Sequence, residues 1–254
     1  MVQKVLVTAG AGGIGLAIAR AFAANGAQVY VVDIDVPALE ALAKESPNIH
    51  CSPCDLSDRA AIERMVPAAV GKLGGLDVLV NNAGIGGPTG PVENMDPDAW
   101  EAVMAINLGC TFNVTRLAIP HLKKSASASI INMSSAAGRF GYANRSAYST
   151  SKWGLIGFTK TVAMELGAYG IRVNAILPAA VAGPRMERVL AGRAQLSGRT
   201  LEQERIASMA MQSIKTFVEA TDVANLALFL ASDAGKAISG QMLPIDNDTF
   251  TTAS

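Results

Sequence analysis

Three polar side chains in the middle of the chain have the types and spacing of a proton-transfer set: Ser135, Tyr148 and Lys152. A helical pattern runs from about Ser146 to Leu166, so Tyr148 and Lys152, four residues apart, share one helix face. A phenol with an unperturbed pKa near ~10 is a poor acid or base at neutral pH. An ammonium fixed one helical turn away favours the phenolate and lowers that value. Bringing it to about 7 takes roughly 3 units, or about 4 kcal/mol, more than one exposed cation supplies. A second positive charge has to help, and a cationic cofactor would provide it. Tyr and Lys at this separation also recur on solvated helix faces, so the reading depends on the rest of the chain.

The support starts in the first fifteen residues. A short Val-rich run, Lys4 to Thr8, is followed by Ala9-Gly10-Ala11-Gly12-Gly13-Ile14-Gly15, and a helical pattern starts at once. Strand, glycine turn and helix start let backbone N–H groups and a helix N-terminus meet a pyrophosphate, and glycines keep side chains out of the way. A plain tight turn would use glycine too. The second strand pattern ends in Asp33, eighteen residues after Gly15. An acid there accepts hydrogen bonds from ribose hydroxyls and repels a 2′-phosphate. No Lys or Arg lies between Thr8 and Gly15 or between Val32 and Leu42 to hold such a phosphate. The expected cofactor is NAD rather than NADP.

With these motifs and several more in order, the chain resembles the short-chain dehydrogenase/reductase family over essentially its whole length. Ala9 to Gly15 resembles the family's TGxxxGIG turn, with Gly10, Gly13, Ile14 and Gly15 at its cofactor-binding positions. Asp55-Leu56 resembles the acid that touches the adenine. Asn81-Asn82-Ala83-Gly84 is similar to the NNAG that steadies the central sheet, with Asn82, Ala83 and Gly84 toward the cofactor. Asn107 matches the Asn that holds a proton-relay water, and Ser135, Tyr148 and Lys152 match the catalytic Ser and the YxxxK pair. Ser135 is preferred over Ser134 because thirteen residues separate it from Tyr148, the usual family spacing. The resemblance implies a hydride exchange between a secondary alcohol or ketone and the nicotinamide. Tyr148 would exchange the proton and Ser135 hydrogen-bond the substrate oxygen. Lys152 would lower the Tyr pKa and hold the nicotinamide ribose. Pro178 and Val181 complete the cofactor set, and no metal is called for.

Four departures from the family pattern stand out. Ala9 replaces the first glycine, and if that position needs positive φ its methyl group costs about 1 kcal/mol. Pro178-Ala179 stands for PG, Gly183 for the Thr that often contacts the nicotinamide amide, and Asp246-Asn247-Asp248 for DGG.

Short Val/Ile-rich runs alternate with longer helical patterns. The strand expectations are Lys4–Thr8, Gln28–Val32, Ile49–Cys51, Asp77–Val80, Ser129–Met133, Arg172–Ile176 and Met242–Ile245. The helical ones are near Ile14–Ala24, Ala38–Lys44, Arg59–Lys72, Asp98–Leu122, Ala147–Leu166 and Glu219–Leu230. This predicts an α/β fold: a doubly wound, Rossmann-like parallel sheet of about seven strands with helices on both faces, in one domain spanning 1–254. From Ala179 to Phe217 a polar, helical segment breaks the alternation, and by resemblance it is the substrate lid. The long helices Asp98–Leu122 and Ala147–Leu166 are apolar on more than one face, which in similar proteins builds a dimer or tetramer interface.

At 254 residues the chain can bury a substantial core in one domain. Its net charge of +0 and pI near 6.7 argue against nucleic acid or an anionic membrane as partner. No run reaches the roughly 18 apolar residues of a membrane span, and a first strand at Lys4 leaves no room for a targeting segment. The expected location is the cytoplasm. Cys51 and Cys54 form a CxxC that could be a redox pair or half a zinc site, but further ligands are distant in sequence, and both read as small residues at a strand end. A nucleotide-binding sensor or scaffold, or an epimerase or dehydratase, would fit parts of this pattern. The first tends to lose a catalytic side chain, and the second carries a different glycine turn on a longer chain. Finally, the 179–217 segment holds Arg185, Arg188, Arg193, Arg199, Arg205 and Lys215 against Glu187, Glu202 and Glu204, and Arg139 and Arg145 lie nearby. A cationic rim facing an anionic substrate is one reading, and arginines solvating a helical lid is the other.

Overall fold

The computed structural model describes residues 2–251. The elements alternate in chain order: β1 (Lys4–Thr8), α1 (Gly13–Ala24), β2 (Gln28–Asp33), α2 (Val36–Ala43), β3 (Ile49–Pro53), α3 (Arg59–Leu73) and β4 (Val78–Asn81). Then follow α4 (Pro97–Met104), α5 (Cys110–Leu122), β5 (Ser129–Met133), α6 (Ser146–Leu166), β6 (Arg172–Pro178), α7 (Pro184–Ser197), α8 (Leu201–Ala210), α9 (Ala220–Ala231) and β7 (Met242–Ile245). All seven strands pair in parallel in the order β3-β2-β1-β4-β5-β6-β7.

The strands sort their side chains by alternation, since successive residues point to opposite faces. Val5, Val7, Val29, Val31, Val78 and Val80 turn to one face, where α1, α2 and α9 bring Ile18, Phe22, Leu39, Val223 and Leu230. Leu6, Tyr30, Val32, Leu79 and Ile130 turn to the other, beneath Ile62, Val66, Val114, Leu122 and Val162 of α3, α5 and α6. A fully buried side chain of this size contributes about 1.5–3 kcal/mol, so the two cores fix the sheet and hence the carboxyl ends of its strands. The strand order reverses between β1 and β4, and the crevice for a ligand opens at that point.

One expectation changes. The single helix expected over Asp98–Leu122 is interrupted: residues Ala105–Gly109 form a π-helical turn between α4 and α5. The run Pro97–Leu122 also has the length and mean hydropathy (1.4) of a membrane span, although it contains no unbroken apolar stretch. Its inward side packs against the sheet and α3, and carries Asn107, Thr111 and Thr115 buried in hydrogen bonds.

The segment expected as a lid forms α7 and α8. Gly198, with φ 72°, ends α7, and a Thr200–Gln203 capping box starts α8. Its two ends are clamped together: Val218 N–H donates to the Ala180 carbonyl and Ala182 N–H to the Val218 carbonyl, both at 2.9 Å.

Candidate active site

Helix α6 is fixed to the sheet by buried amides. Asn81 Nδ2 donates to Asn132 Oδ1 across β4 and β5 and to Thr115 Oγ1 of α5, at 2.8 and 2.9 Å. Asn132 Nδ2 donates in turn to Thr159 Oγ1 of α6 at 2.9 Å. At its N-terminal end, α6 is stitched to the turn after β5: Ser134 Oγ donates to the Lys152 carbonyl and Ser149 Oγ to the Ala137 carbonyl, both at 2.8 Å. Gly138 permits this approach, because a Cβ there would stand 2.6 Å from Ser134 Oγ and 2.8 Å from the Lys152 carbonyl oxygen. Ser134 is thus spent on structure, while Ser135 is half-buried and faces the cavity.

Tyr148, Ser135 and Lys152 converge on a cavity of about 630 Å³. Lys152 is 3% exposed; its Nζ donates to the Met133 carbonyl at 2.8 Å and lies 5.7 Å from the Tyr148 ring centroid. Burial, with a smaller push from Arg185, brings the Lys152 ammonium down to about 8 despite the opposing pull of Tyr148. For Tyr148, burial pushes the phenol up. The Arg185 guanidinium, then Lys152, a hydrogen bond with Ser135 and Arg145 more than reverse it, and the phenol sits below its ordinary value. The second cation required by the energetics is therefore present in the protein itself.

The glycine turn floors the same cavity. Ala9 adopts φ 50°, a left-handed conformation that glycine takes more easily. No atom lies within 4 Å of where a Cβ would stand at Gly12 or Gly13, so bare backbone faces the cavity at the start of α1. Gly15 works from behind: its missing Cβ would be 2.4 Å from the Ala9 carbonyl oxygen and 2.5 Å from Asn82 Nδ2. That Asn82 amide donates to the Thr8 and Ala9 carbonyls at 3.1 and 2.8 Å and holds the turn in shape. Asp33 ends β2 with Oδ2 accepting the Ala11 N–H at 3.0 Å and Oδ1 accepting the Ile34 and Asp35 N–H groups at 2.7 and 3.3 Å. An open backbone cradle at the start of a helix fits the pyrophosphate of a nicotinamide dinucleotide.

Of the expected site residues, Gly13, Ile14, Asn82, Gly84, Pro178 and Val181 line the cavity with Ser135, Tyr148 and Lys152. Gly10, Gly15, Asp33 and Ala83 do not line it; Gly10 backs onto Val31 and Val7, and Asp33 is half-buried beside the turn at Ala11. Asp55 lies outside the cavity with its Oδ1 taken by Ser57, and Leu56 is buried in the core beneath α3. Asn107 is fully buried in the π-helical turn. Its Nδ2 donates to the Ile85 carbonyl and Ser151 Oγ and its Oδ1 accepts the Ile85 N–H, so both amide hydrogens are spent inside the protein. Its side chain positions the 84–85 loop against α6, and only acceptor capacity at Oδ1 is left over.

Gly12, Asp35 and Tyr142 also line the cavity and were not singled out by sequence. The Asp33-Ile34-Asp35 pattern is the signal that could have found the second acid. Gly183 has φ 131°, a conformation essentially closed to Thr, which explains the departure from the family residue there. At the end of the chain, Asn247 and Asp248 take φ 53° and 55° where glycines are usual. Among the described residues no three His, Cys, Asp or Glu side chains converge on a metal site.

Fold and cavity together describe a nucleotide-binding α/β protein whose cavity brings Ser135, Tyr148 and Lys152 beside the glycine turn. Residues 3–193 match the family model for short chain dehydrogenase. The chain is 38% identical over 249 residues to the D-beta-hydroxybutyrate dehydrogenase of Cupriavidus necator, covering 96% of both chains. A crystal structure of an actinorhodin polyketide ketoreductase with NADPH superposes with a TM-score of 0.92 at 30% identity, over 97% of this chain and 96% of that one. The structure of an NAD+-bound xylitol dehydrogenase gives 0.90 at 29%, over 96% and 97%. The chain belongs to the short-chain dehydrogenase family. It is an oxidoreductase that works on hydroxyl or keto groups with a nicotinamide cofactor.

Proposed function

We propose that this protein is an NAD-dependent dehydrogenase or carbonyl reductase of a small secondary alcohol or ketone, with Tyr148 as the group that exchanges the hydroxyl proton. The observation that carries the reading is the convergence of Tyr148, Ser135 and Lys152 on the cavity floored by the open glycine turn. Gly12, Gly13, Ile14, Asn82 and Gly84, with Pro178 and Val181, would hold the dinucleotide, which supplies the hydride acceptor or donor when bound. Asp33 and Asp35 would face its ribose and disfavour a 2′-phosphate. Ser135 positions the substrate oxygen toward the Tyr148 hydroxyl, and the cations around the phenol stabilise its deprotonated form during oxidation. Lys152 also offers its ammonium to the nicotinamide ribose.

The segment 179–217 acts as the lid over the substrate end. Exposed Phe112 on α5 and Trp153 and Met164 on α6 support a homo-oligomer, a dimer or tetramer packed through these helices. Three free cysteines suit a reducing, cytoplasmic setting.

The test is spectrophotometric. Protein, NAD and a panel of secondary alcohols are mixed while the absorbance of the reduced cofactor is followed, with the reverse reaction run on the matching ketones. Turnover of at least one pair, abolished in Tyr148→Phe, is expected. Tight NAD binding without turnover of any pair would instead describe a nucleotide sensor.

A further inference from the structure

The basic residues around the substrate end divide into two groups. Arg205 pairs with Glu187 at 2.7 Å, Arg199 lies 4.0 Å from Glu204, and Arg139 lies 3.6 Å from Asp246. Arg145, Arg185, Arg188 and Arg193 form no ion pair among the described residues, and all four line the cavity. The one carboxylate on that lining, Asp35, belongs to the nucleotide end beside the glycine turn.

Three of the four are arranged in a ladder with two tyrosines. The Arg185 guanidinium carbon is 5.6 Å from the Tyr148 ring centroid, and that of Arg145 is 5.3 Å from the same ring. Arg145 is also 5.7 Å from the Tyr142 centroid, and Arg193 is 5.3 Å from it. Their hydrogen-bond partners are all neutral. Arg185 donates to the Gly84 carbonyl at 3.2 Å, and Arg145 to the Gly86 carbonyl and Thr89 Oγ1 at 2.8 and 3.1 Å. Arg193 donates to Ser208 Oγ at 2.8 Å and to the Tyr142 hydroxyl. Neutral acceptors orient a guanidinium without cancelling its charge. Arg145 is 5% exposed and its buried Nε has no partner, so the charge cannot be screened well by solvent. Arg185 and Arg188 stand exposed at the cavity, Arg193 is half-buried and Arg145 buried; none has a carboxylate partner among the described residues, and the planar guanidinium fork matches a carboxylate.

We propose that the substrate is a hydroxy acid or keto acid whose carboxylate is received by Arg185 and Arg193, with Arg145 fixed between Tyr148 and Tyr142 as the cation that orients both rings. The proposal rests on the hydride-transfer reading of the site, because the alcohol carbon is taken to lie at Tyr148. The carboxylate then sits beyond it, on the side of α7.

The experiment compares hydroxy acids with their methyl esters, in pairs with the hydroxyl at the second, third or fourth carbon, at low and high salt. An acid-over-ester preference in kcat/KM of about tenfold or more is expected for at least one pair, shrinking as salt screens the arginines. Arg193→Gln and Arg185→Gln should collapse that ratio toward one, and Arg193→Lys should retain part of it. Equal kcat/KM for acid and ester in every pair would overturn the proposal. So would an Arg185→Gln variant with an unchanged acid-to-ester ratio and a raised KM for NAD, since the arginines would then serve the cofactor's diphosphate. If no pair turns over, calorimetric titration of the NADH-bound protein with acetoacetate, pyruvate and levulinate decides. Binding that is lost in Arg193→Gln would keep the carboxylate site while removing hydride transfer, and no binding of any acid would remove the carboxylate site itself.

Discussion

The guanidinium of Arg185 stands 5.6 Å from the Tyr148 ring centroid while its Nη1 donates to the Gly84 carbonyl, so a residue of α7 places a positive charge beside the phenol. Lys152 supplies the other close charge from within α6 and is itself held down to about 8, chiefly by burial. The two cations favour the phenolate, and one of them is carried by α7.

Alcohol oxidation needs the phenolate as base, so kcat/KM should rise with pH as Tyr148 ionises, below the ordinary tyrosine range. Arg185→Gln removes a cation that favours the ionised form. The rising limb should therefore move to higher pH, and the falling limb of ketone reduction, which needs the protonated phenol, should move the same way. Tyr148 and Lys152 titrate as a coupled pair, so the limb reports both. Superimposable profiles for the wild type and the variant would show that Arg185 does not act on the phenol.

Tyr148→Phe removes the hydroxyl and leaves the ring to pack between Arg145 and Arg185. The expected result is a loss of about 10²-fold or more in kcat, with the melting temperature and NAD affinity retained. A variant keeping most of its activity would place the proton with another group.

Why these residues meet was partly legible before folding. All seven strands fall within one or two residues of their patterns, because runs such as Val5-Leu6-Val7 must feed two cores at once. The YxxxK face and the glycine turn were legible for the same reason: each is a local spacing rule. The turn that carries Asn107 was not, since a π-helical turn uses the same residue types as the α-helix around it and betrays itself only in hydrogen bonding. Nor could sequence sort the arginines. Arg205 finds Glu187 eighteen residues away, whereas Arg193 finds only neutral oxygens, and that difference depends on how α7 and α8 pack. Asp35 was hidden because in sequence it reads as the N-cap of α2, which it is, and its place on the cavity lining depends on the fold.

Cofactor choice follows from those two acids. With Asp33 and Asp35 at the nucleotide end, NAD should be preferred over NADP by at least about tenfold in kcat/KM, or ~1.4 kcal/mol. Asp35→Ser is the cleaner probe of charge. Serine can still cap α2, whereas Asp33 also holds the Ala11 N–H of the turn. The NAD-to-NADP ratio should fall in Asp35→Ser without loss of melting temperature. Comparable kcat/KM with both cofactors in the wild type would remove the role given to these carboxylates.

The glycine turn yields two substitutions with opposite signs. Ala9 is held at φ 50°, where a methyl group costs about 1–2 kcal/mol, and glycine would relieve that strain while giving back about 0.5–1 kcal/mol of chain entropy. Ala9→Gly should therefore raise the melting temperature slightly, by about 2–4 °C for each kcal/mol gained, without weakening NAD. Gly15→Ala does the reverse. Its new Cβ would stand 2.4 Å from the Ala9 carbonyl oxygen and 2.5 Å from the Asn82 amide nitrogen that pins it. Backbone cannot yield as a flexible side chain would, so overpacking should cost about 1–3 kcal/mol and pull the turn out of shape. A lower melting temperature and weaker NAD binding should appear together in Gly15→Ala, read by thermal melts and by titration of the cofactor. If both variants moved stability in the same direction, the strain at Ala9 and the contact at Gly15 could not both be what shapes this turn.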